Sequence, residues 1–445
     1  MELKINKLDE LRNKFGADRA NRVAQNAAME NGIDKAAVKN MVYEEQRHSF
    51  NVNLNQGDIT NQKQSGRCWM FSALNVMRYR IIKDLNLKTF ELSQSYPLFY
   101  DKLEKSNYFL ESILKTLDED IHSRLVAHIL RDPLGDGGQW DMFVNLVKKY
   151  GVVPKYVMGE SANSSNTRAL DDYLTKLLRG YAVKLRKAHE SKKGMDELNS
   201  MVEKYMEEIY NALCISLGTP PTEFDFEVRD KDDNYICEKN LTPIEFFNKY
   251  VKMNLDDYIS IINAPTKDKP YNRTFTVKYL GNVVEGNKVK YLNLPIEELK
   301  KAAISQMKDG EPVWFGCDVG QFFYRSGSVL DTETIKMDDL FNVEFDMTKE
   351  EKLDYGESLM THAMVFMGVE VDEDGISKRW RVENSWGKDS GKDGYLVMSD
   401  RWFDQYMYQV VVNKKYLSEE ILKAWDTETI ELEPWDPMGS LAKER

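Results

Sequence analysis

Residues 61–71 read NQKQSGRCWMF, and this stretch decides how the rest of the chain is interpreted. A polar, extended segment ends here, and from Cys68 onward apolar side chains recur at intervals of three or four residues. That period predicts a long helix with an apolar face. Cys68 then lies in the first turn, where unpaired backbone N–H groups and the positive end of the helix dipole favour a thiolate. Because the thiolate is the reactive form of cysteine, the stretch predicts a nucleophile.

A cysteine nucleophile needs a base, and His362 is the best candidate among the five histidines. It opens the apolar run 363–369, which has the composition of a buried strand, so we expect the ring to be held rigidly at the edge of a cleft. Asn384 follows the next predicted strand. Its amide oxygen is a suitable acceptor for one ring nitrogen, which fixes the tautomer. Trp386 is expected to shield that bond from water.

The tetrahedral intermediate of acyl transfer needs hydrogen-bond donors. The side-chain amide of Gln62 and the backbone N–H of Cys68 are the expected oxyanion hole. Taken singly, each candidate has a more common explanation: a cysteine on a helix is usually a small buried hydrophobe, and a glutamine is usually a surface residue. The order of Gln62, Cys68, His362 and Asn384 along the chain is what favours catalysis.

Four longer strings carry a resemblance to a known family. They are 61–71, 136–142 (DGGQWDM), 359–364 (LMTHAM) and 435–439 (WDPMG). They resemble the bleomycin hydrolase family of papain-like cysteine peptidases, whose bacterial members are aminopeptidase C and close relatives. The likeness covers essentially the whole chain.

The resemblance implies an α+β, papain-like fold of two lobes, one helical around the Cys68 helix and one an antiparallel β-barrel carrying His362 and Asn384. It also implies a homohexamer that encloses its active sites. The C-terminus, here Arg445, is expected in the cleft, where its carboxylate holds the free amino group of a peptide substrate. The expected substrate-binding residues are Gly137, Gly138, Trp386 and Arg445.

The chain departs from the papain pattern in three places. Ser65 replaces a cysteine that forms a disulfide in secreted members, which suits a cytosolic enzyme. The long separation of Cys68 and His362 is attributed to a helical insertion. The tail continues for three residues, 443–445, beyond the ending typical of relatives. That longer tail leaves two cleavage modes open, removal of N-terminal residues and internal cleavage.

The patterns divide the chain into five segments. These are an N-terminal helical arm (1–60), a helical lobe with the nucleophile helix (61–159), a helical insertion (160–265), a β-barrel lobe (266–415) and a C-terminal arm that reaches the cleft (416–445). Residues 159–168 have the composition of a linker, and from about residue 273 the apolar period changes to two. The predicted strands are 274–280, 288–292, 313–317, 362–369, 378–383, 394–398 and 408–412.

Composition narrows the functional class. The 445 residues carry a net charge of −12, which argues against a nucleic-acid footprint at chain level. No apolar run approaches the ~20 residues that span a bilayer, and the N-terminus has no signal-peptide core. The four cysteines form no C-x-x-C pair, so neither a metal nor another cofactor is expected. Cys214, Cys237 and Cys317 are expected to be inert.

The favoured function is therefore a cytosolic cysteine aminopeptidase that acts on peptides through a Cys68 acyl-thioester. Three alternatives remain at this point: an endopeptidase of the same family with an open cleft, an acyl transferase using the same thiol, and, least favoured, a non-catalytic nucleic-acid-binding homologue. The sequence does not predict the side-chain preference.

Overall fold

The N-terminal arm is a run of short helices that pack loosely on the rest of the protein. The computed structural model describes residues 2–55 and 57–442. None of the arm helices contains a buried residue. They are α1 (Ile5–Ala17), α2 (Arg19–Asn31), α3 (Ile33–Ala36) and α4 (Asn40–Glu45), and the short strand β1 (Val52–Asn53) follows them.

The helical lobe is built around α5 (Cys68–Asp84), and its other helices are α6 (Ser95–Lys115), α7 (Arg124–Arg131) and α8 (Trp140–Tyr150). The sequence predicted one apolar face for α5, but the helix is buried on nearly all sides. The reason is that α5 lies between the helical lobe and the sheet, and its polar residues find buried partners. Arg78 forms an ion pair with Glu383 at 3.0 Å, and both side chains are buried.

The segment after the helical lobe is mostly helical, with a β-hairpin that the sequence did not predict. Its elements are α9 (Ala162–Ser165), α10 (Arg168–Glu190), α11 (Met195–Leu217), β2 (Phe224–Arg229), β3 (Tyr235–Leu241) and α12 (Pro243–Phe246). The two long helices pack on α6 through apolar stripes. Residues 159–168 are not a linker, because Glu160 pairs with the buried Arg67 at 2.9 Å.

The rest of the chain forms one large sheet covered by helices. Its strands are β4 (Tyr258–Ile262), β5 (Arg273–Val277), β6 (Tyr291–Asn293), β7 (Val313–Cys317), β8 (Phe323–Tyr324), β9 (Val329–Leu330), β10 (His362–Val371), β11 (Ser377–Glu383), β12 (Tyr395–Ser399), β13 (Met407–Asn413) and β14 (Ile430–Leu432). The helices are α13 (Ile296–Lys308), α14 (Met337–Phe341), α15 (Lys349–Asp354), α16 (Asp400–Tyr406) and α17 (Glu419–Trp425). The mixture of a helical lobe and a mainly antiparallel sheet is the predicted α+β class.

The strand order is β14-β5-β6-β4-β13-β7-β10-β11-β12-β9-β8, with β1 pairing on β10. Most neighbours are antiparallel; β12 with β9, β14 with β5, and β4 with β6 are parallel. β10 contacts α5 and α13, so its side chains are buried almost without interruption. A strand buried on both faces has apolar residues at nearly every position. The apolar run 363–369 has this pattern, and it predicted β10.

Candidate active site

Cys68 is the first residue of α5, and the loop before it is fixed by contacts from the helical lobe. The carboxylate of Asp136 accepts a hydrogen bond from the backbone N–H of Gly66 at 2.6 Å. The carbonyl of Asp136 accepts another from the indole of Trp69 at 2.7 Å. These two bonds hold the residues on both sides of the thiol, so its place at the helix start is rigid.

His362 is the first residue of β10, and its ring orientation is set by Asn384. His362 Nε2 and Asn384 Oδ1 are 3.0 Å apart, and Oδ1 also accepts the backbone N–H of Ser385 at 2.8 Å. Because an amide oxygen only accepts, Nε2 carries the proton, and the lone pair of Nδ1 is left for a second partner. The ring centroid of Trp386 lies 4.9 Å from that of His362, so the indole covers the imidazole.

The fold brings Cys68 to the strand that carries His362, nearly three hundred residues away in sequence. The hydroxyl of Ser72, one turn along α5 from Cys68, donates to the carbonyl of Ala363, the residue after His362, at 3.0 Å. The Cys68 thiol itself contacts the carbonyl of Gly66, with Sγ and the oxygen 4.0 Å apart. The Ser72 bond therefore fixes the start of α5 against β10.

Gln62 lies in the same loop and is buried. Its side-chain oxygen accepts a hydrogen bond from the hydroxyl of Ser385 at 2.6 Å, and Nε2 donates to the carbonyl of Ser65 at 2.6 Å. An amide nitrogen has two protons, so one N–H of Gln62 remains for another acceptor. The Ser385 bond links the orientation of Gln62 to the residue that follows Asn384.

Burial shifts both titrating groups toward their neutral forms. Cys68 is 4% exposed and His362 is 6% exposed. Burial raises the pKa of the Cys68 thiol to about 11, although backbone hydrogen bonds from Ala363 and Trp69 act in the opposite direction. Burial, aided by the positive charge of Arg325, lowers the pKa of His362 to about 4, against the bond to Asn384, which raises it. Burial therefore favours the neutral thiol and the neutral imidazole over their charged forms.

This protonation state differs from the thiolate expected from the helix terminus alone. The N-terminal N–H groups and the dipole do favour the anion, but loss of hydration opposes it more strongly in a site covered this fully.

The C-terminal tail fills the cleft beside this pair. A short 3₁₀ segment, Pro437–Ala442, lies between the lobes, and both Leu441 and Ala442 are buried. A Cβ on Gly137 would lie 2.2 Å from the carbonyl oxygen of Leu441 and 2.9 Å from Cα of Ala442. Glycine is thus required where the tail meets the helical lobe. The hydroxyl of Ser440 donates to the carbonyl of Met360 at 2.8 Å, which ties the tail to the segment leading into His362.

Gly138 has a different neighbour from Gly137. A Cβ at Gly138 would lie 2.5 Å from the indole of Trp69, so this glycine allows the loop to pack on the nucleophile helix rather than on the tail. Arg445, the fourth expected substrate-binding residue, lies outside the described residues.

Comparison with known proteins agrees with this geometry. A sequence profile of the Peptidase C1-like family matches residues 2–439. Aminopeptidase C of Lactobacillus delbrueckii subsp. lactis is 47% identical, and human bleomycin hydrolase is 43% identical; each alignment covers 99% of both chains. The crystal structure of PepW from Lactobacillus rhamnosis HN001 superposes with a TM-score of 0.96 at 50% identity, covering 99% of both chains.

The chain belongs to the Peptidase C1-like family. The predicted enzyme class, a cysteine aminopeptidase with a papain-like fold, is confirmed by these relatives. None of the helices in residues 2–55 and 57–442 is both long and apolar enough to cross a membrane.

Sequence reasoning missed a buried charge cluster beneath this peptidase site. Lys102 lies 2.7 Å from Asp136 and 2.6 Å from Asp171, and Asp136 also accepts a hydrogen bond from Thr167. The cluster connects α6 and α10 to the loop before Cys68. Asp136 lies in one of the motif strings, so it was visible as a candidate. Lys102 and Asp171 lie inside ordinary helical patterns, which give no sign of a buried charge.

A second buried lysine supports the glycine loop. Nζ of Lys105 donates to the carbonyls of Gly135 at 2.8 Å and Gly137 at 2.6 Å, and it pairs with Asp101 at 2.8 Å. The ammonium group of Lys105 thus fixes the backbone of the glycine loop, and the carboxylate of Asp101 balances the buried charge of Lys105.

Proposed function

We propose that Cys68 is the nucleophile of this aminopeptidase and His362 its base. The sulfur attacks the carbonyl carbon of the first peptide bond while Nδ1 of His362 takes the thiol proton. The carbonyl electron pair moves onto oxygen, where the free N–H of Gln62 and the backbone N–H of Cys68 stabilise the charge. His362 then protonates the leaving amine, the C–N bond breaks, and an acyl-thioester remains on Cys68.

Water completes the cycle. It attacks the thioester carbonyl and gives a proton to His362, the C–S bond breaks, and the sulfur regains that proton from the imidazolium. Asn384 keeps Nε2 protonated throughout, so Nδ1 always faces the reacting atoms. The observation that carries this assignment is the His362–Asn384 bond at 3.0 Å at the start of β10, where Ser72 of α5 also bonds to Ala363, the residue after His362.

The test of the nucleophile is a conservative truncation. Cys68→Ala removes one sulfur atom from a buried position, so the thermal unfolding midpoint should change little. Hydrolysis of leucine p-nitroanilide should disappear. Retained turnover by a folded Cys68→Ala protein would contradict the assignment, and Cys317→Ala serves as the matched buried-cysteine control.

We infer that the tail restricts the enzyme to N-terminal residues. Leu441 and Ala442 occupy the groove beside Gly137, and chain segments of a long substrate need the same space. A peptide substrate can then bind in the cleft only with its N-terminal residue next to the tail. A carboxylate at the end of the tail would hold the substrate's ammonium group by a charge-assisted hydrogen bond.

Truncating the tail tests this inference. Removal of residues 440–445 should raise the rate on N-acetylated peptides relative to free-amine peptides by about 10- to 100-fold, the range of one charge-assisted hydrogen bond. Removal of 443–445 alone is the matched control, because it keeps Leu441 and Ala442. Equal rates of the untruncated protein on both peptide types would instead support an endopeptidase.

We propose that the protein assembles as a homohexamer that acts on peptides in the cytosol. The arm helices α1 and α2 support self-association, because they bury nothing in one chain yet expose Ile5, Leu8, Leu11, Phe15 and Val23. Light scattering after size exclusion should give six chain masses, and deletion of residues 2–31 should give a smaller species. A monomeric full-length protein would contradict the assembly.

A further inference from the structure

An arginine with no assigned role lies beside Trp386, the residue whose ring covers that of His362. Arg325 lies in a short 3₁₀ turn after β8 and is exposed. Its guanidinium is 4.7 Å from the ring centroid of Phe323 and 5.7 Å from that of Trp386. The two rings are 6.2 Å apart, so together they form an aromatic surface beneath one positive charge.

This charge has no carboxylate partner in the part of the chain that the structure describes. Other arginines near the site are neutralised: Arg67 by Glu160 and Arg78 by Glu383. The Arg325 guanidinium lies over aromatic rings, and its charge acts on His362, where it adds to the effect of burial in lowering the imidazole pKa. An unpaired guanidinium close to a reacting centre is available for a ligand.

The turn that carries Arg325 is held in place by its neighbours. The backbone N–H of Val397 on β12 donates to the carbonyl of Ser328 at 2.9 Å. Gly327 packs against Tyr43 and Tyr324 so closely that a Cβ would lie 2.4 Å from the Tyr43 ring. Such packing pre-positions the arginine, and a pre-positioned group loses less entropy when it binds.

The chemistry of the leaving group points to the ligand. His362 protonates the departing amine, so the rest of the substrate begins at the imidazole. Trp386 is the next ring, at 4.9 Å, and Arg325 lies over Trp386. At ~3.3–3.6 Å per extended residue, the guanidinium is reached one or two residues beyond the scissile bond. In a dipeptide or tripeptide, that position is occupied by the C-terminal carboxylate.

We propose that Arg325 binds the C-terminal carboxylate of short peptide substrates and so favours dipeptides and tripeptides. The proposal rests on the proposed role of His362 as the acid for the leaving amine. Arginine suits this role because its planar fork matches a carboxylate with two parallel hydrogen bonds while its face stacks on an aromatic ring. Arg325 is therefore a specificity-determining residue rather than a catalytic one.

The experiment compares four substrates in two matched pairs. Leucyl-alanine carries a carboxylate at its C-terminus and leucyl-alanine amide carries none; leucyl-aspartic α-amide carries a carboxylate only on its side chain and leucyl-asparagine amide carries none. The unaltered protein should have a higher kcat/KM on leucyl-alanine than on leucyl-alanine amide. Arg325→Gln should reduce that ratio by about 10- to 100-fold, the range of a charge-assisted hydrogen bond. Arg325→Lys should restore part of it.

Arg229→Gln is the matched control, since it removes the same charge from the exposed strand β2 and should leave the ratio unchanged. All rates are compared at each variant's optimal pH, because losing the charge also shifts the pKa of His362. An unchanged ratio in Arg325→Gln would overturn the proposal. A selective loss on leucyl-aspartic α-amide alone would overturn it too, in favour of an acidic side chain. An equal loss on all substrates would assign Arg325 a structural role.

Failure of the proposed function gives a different result. If the unaltered protein hydrolyses none of these peptides, the catalytic assignment is wrong. In that case calorimetric binding of leucyl-alanine and its amide to Cys68→Ala protein, with and without Arg325→Gln, still decides whether Arg325 selects the carboxylate.

Discussion

At the scale of single residues, the site is defined by what holds the imidazole of His362. One ring nitrogen is bonded to Asn384, the ring face is covered by Trp386, and the opposite nitrogen keeps the lone pair that the proposed mechanism uses. Each contact comes from the segment just after β11, so one loop determines the tautomer, the orientation and the water access of the base.

Replacing Asn384 should change both the rate and its pH dependence. The bond to Asn384 raises the pKa of His362, against the larger effect of burial. In Asn384→Ala that pKa falls further, so less imidazolium is available for the leaving amine and kcat should drop by about 10²-fold or more. The fall in kcat/KM on the acidic side of the pH profile should move to lower pH, since the His362 ring then becomes protonated only at a lower pH. Rates measured from pH 4 to pH 9 give both the drop in kcat and the shift of the profile. A shift of its acidic side to higher pH would contradict the account.

Gln62 should act on the transition state rather than on substrate binding. Its amide is aimed by Ser385 and Ser65, with one N–H left over. Loss of one oxyanion donor typically costs about 10²–10³ in kcat. We expect Gln62→Ala to show that loss with little change in KM. Gln64→Ala, two residues away and exposed, is the control; an equal effect of both substitutions would indicate a loop defect.

At the scale of elements, buried ion pairs fix the helices and strands that carry the site. Although burial raises the pKa of Asp136, the charge of Lys102 and hydrogen bonds from Thr167 and Gly66 hold it below the usual range. Lys102 also lies 2.6 Å from Asp171, but burial, aided by the negative charge of Asp136, raises the pKa of Asp171 to about 7. A carboxylate with a depressed pKa contributes stability above its unfolded pKa, and that contribution is lost as the pH falls.

Lys102→Met should therefore destabilise the protein strongly. It leaves the buried carboxylate of Asp136 without its cation, and removing one partner of a buried pair costs about 3–5 kcal/mol. Urea unfolding at pH 7 should show a lower midpoint. The deficit should shrink as the pH falls toward 4, because a buried carboxyl without its cation has a raised pKa and becomes protonated over that range. Lys301→Met removes a lysine from an exposed pair with Glu298 and should leave the midpoint unchanged. Equal midpoints for all three proteins would show that the cluster is not stabilising.

The sequence predicted the strands that are buried in the fold, because burial leaves a clear pattern of apolar residues. Strands β7 and β10 were placed almost residue by residue, because both faces are buried and the apolar runs are continuous. Strand β11 was placed equally well from its alternation of polar and apolar residues, which matches a half-buried strand. The hairpin of β2 and β3 was missed, because most of β3 is exposed and its polar residues give no alternation to detect. The prediction of a linker at residues 159–168 was wrong, because the sequence of a short polar segment does not show that Glu160 forms an ion pair with the buried Arg67.

The candidate site likewise has features that the sequence predicted and features that it did not. The order of Gln62, Cys68, His362 and Asn384 was visible because each has a chemical role and a motif around it. The protonation state was not, since it depends on how completely both lobes and the tail exclude water. The role of Arg325 was not visible either, because stacking on Trp386 is a contact between residues with no sequence signal.

At the scale of the whole molecule, the tail connects the two lobes across the cleft. Asp436 pairs with Lys269 at 2.8 Å, and the indole of Trp435 lies 3.7 Å from the guanidinium of Arg124 on α7. The tail is thus anchored to both sides before it reaches Gly137. Cleavage mode is accordingly a property of the complete chain, although the chemistry belongs to a few side chains.

Weakening this anchor should loosen the restriction on substrates. Lys269 is buried and pairs with Asp436, so Lys269→Met removes one of the contacts that hold the tail to the β-sheet side of the cleft. We expect N-acetylated peptides to be cleaved faster than by the unaltered protein, while removal of the tail beyond Gly439 gives a larger increase. Peptide cleavage followed by mass spectrometry measures both. No gain in either variant would contradict a restrictive role for the tail.

The most direct test of the central claim is to compare loss of activity with modification of each cysteine. A leucine chloromethyl ketone with a free amine should alkylate the Cys68 sulfur, and residual activity should fall in proportion to the modified fraction found by peptide mapping. Cys237 is exposed and serves as the internal control; it should remain largely unmodified, because it has no site to concentrate the reagent. Inactivation that proceeds while Cys68 stays unmodified would contradict the account.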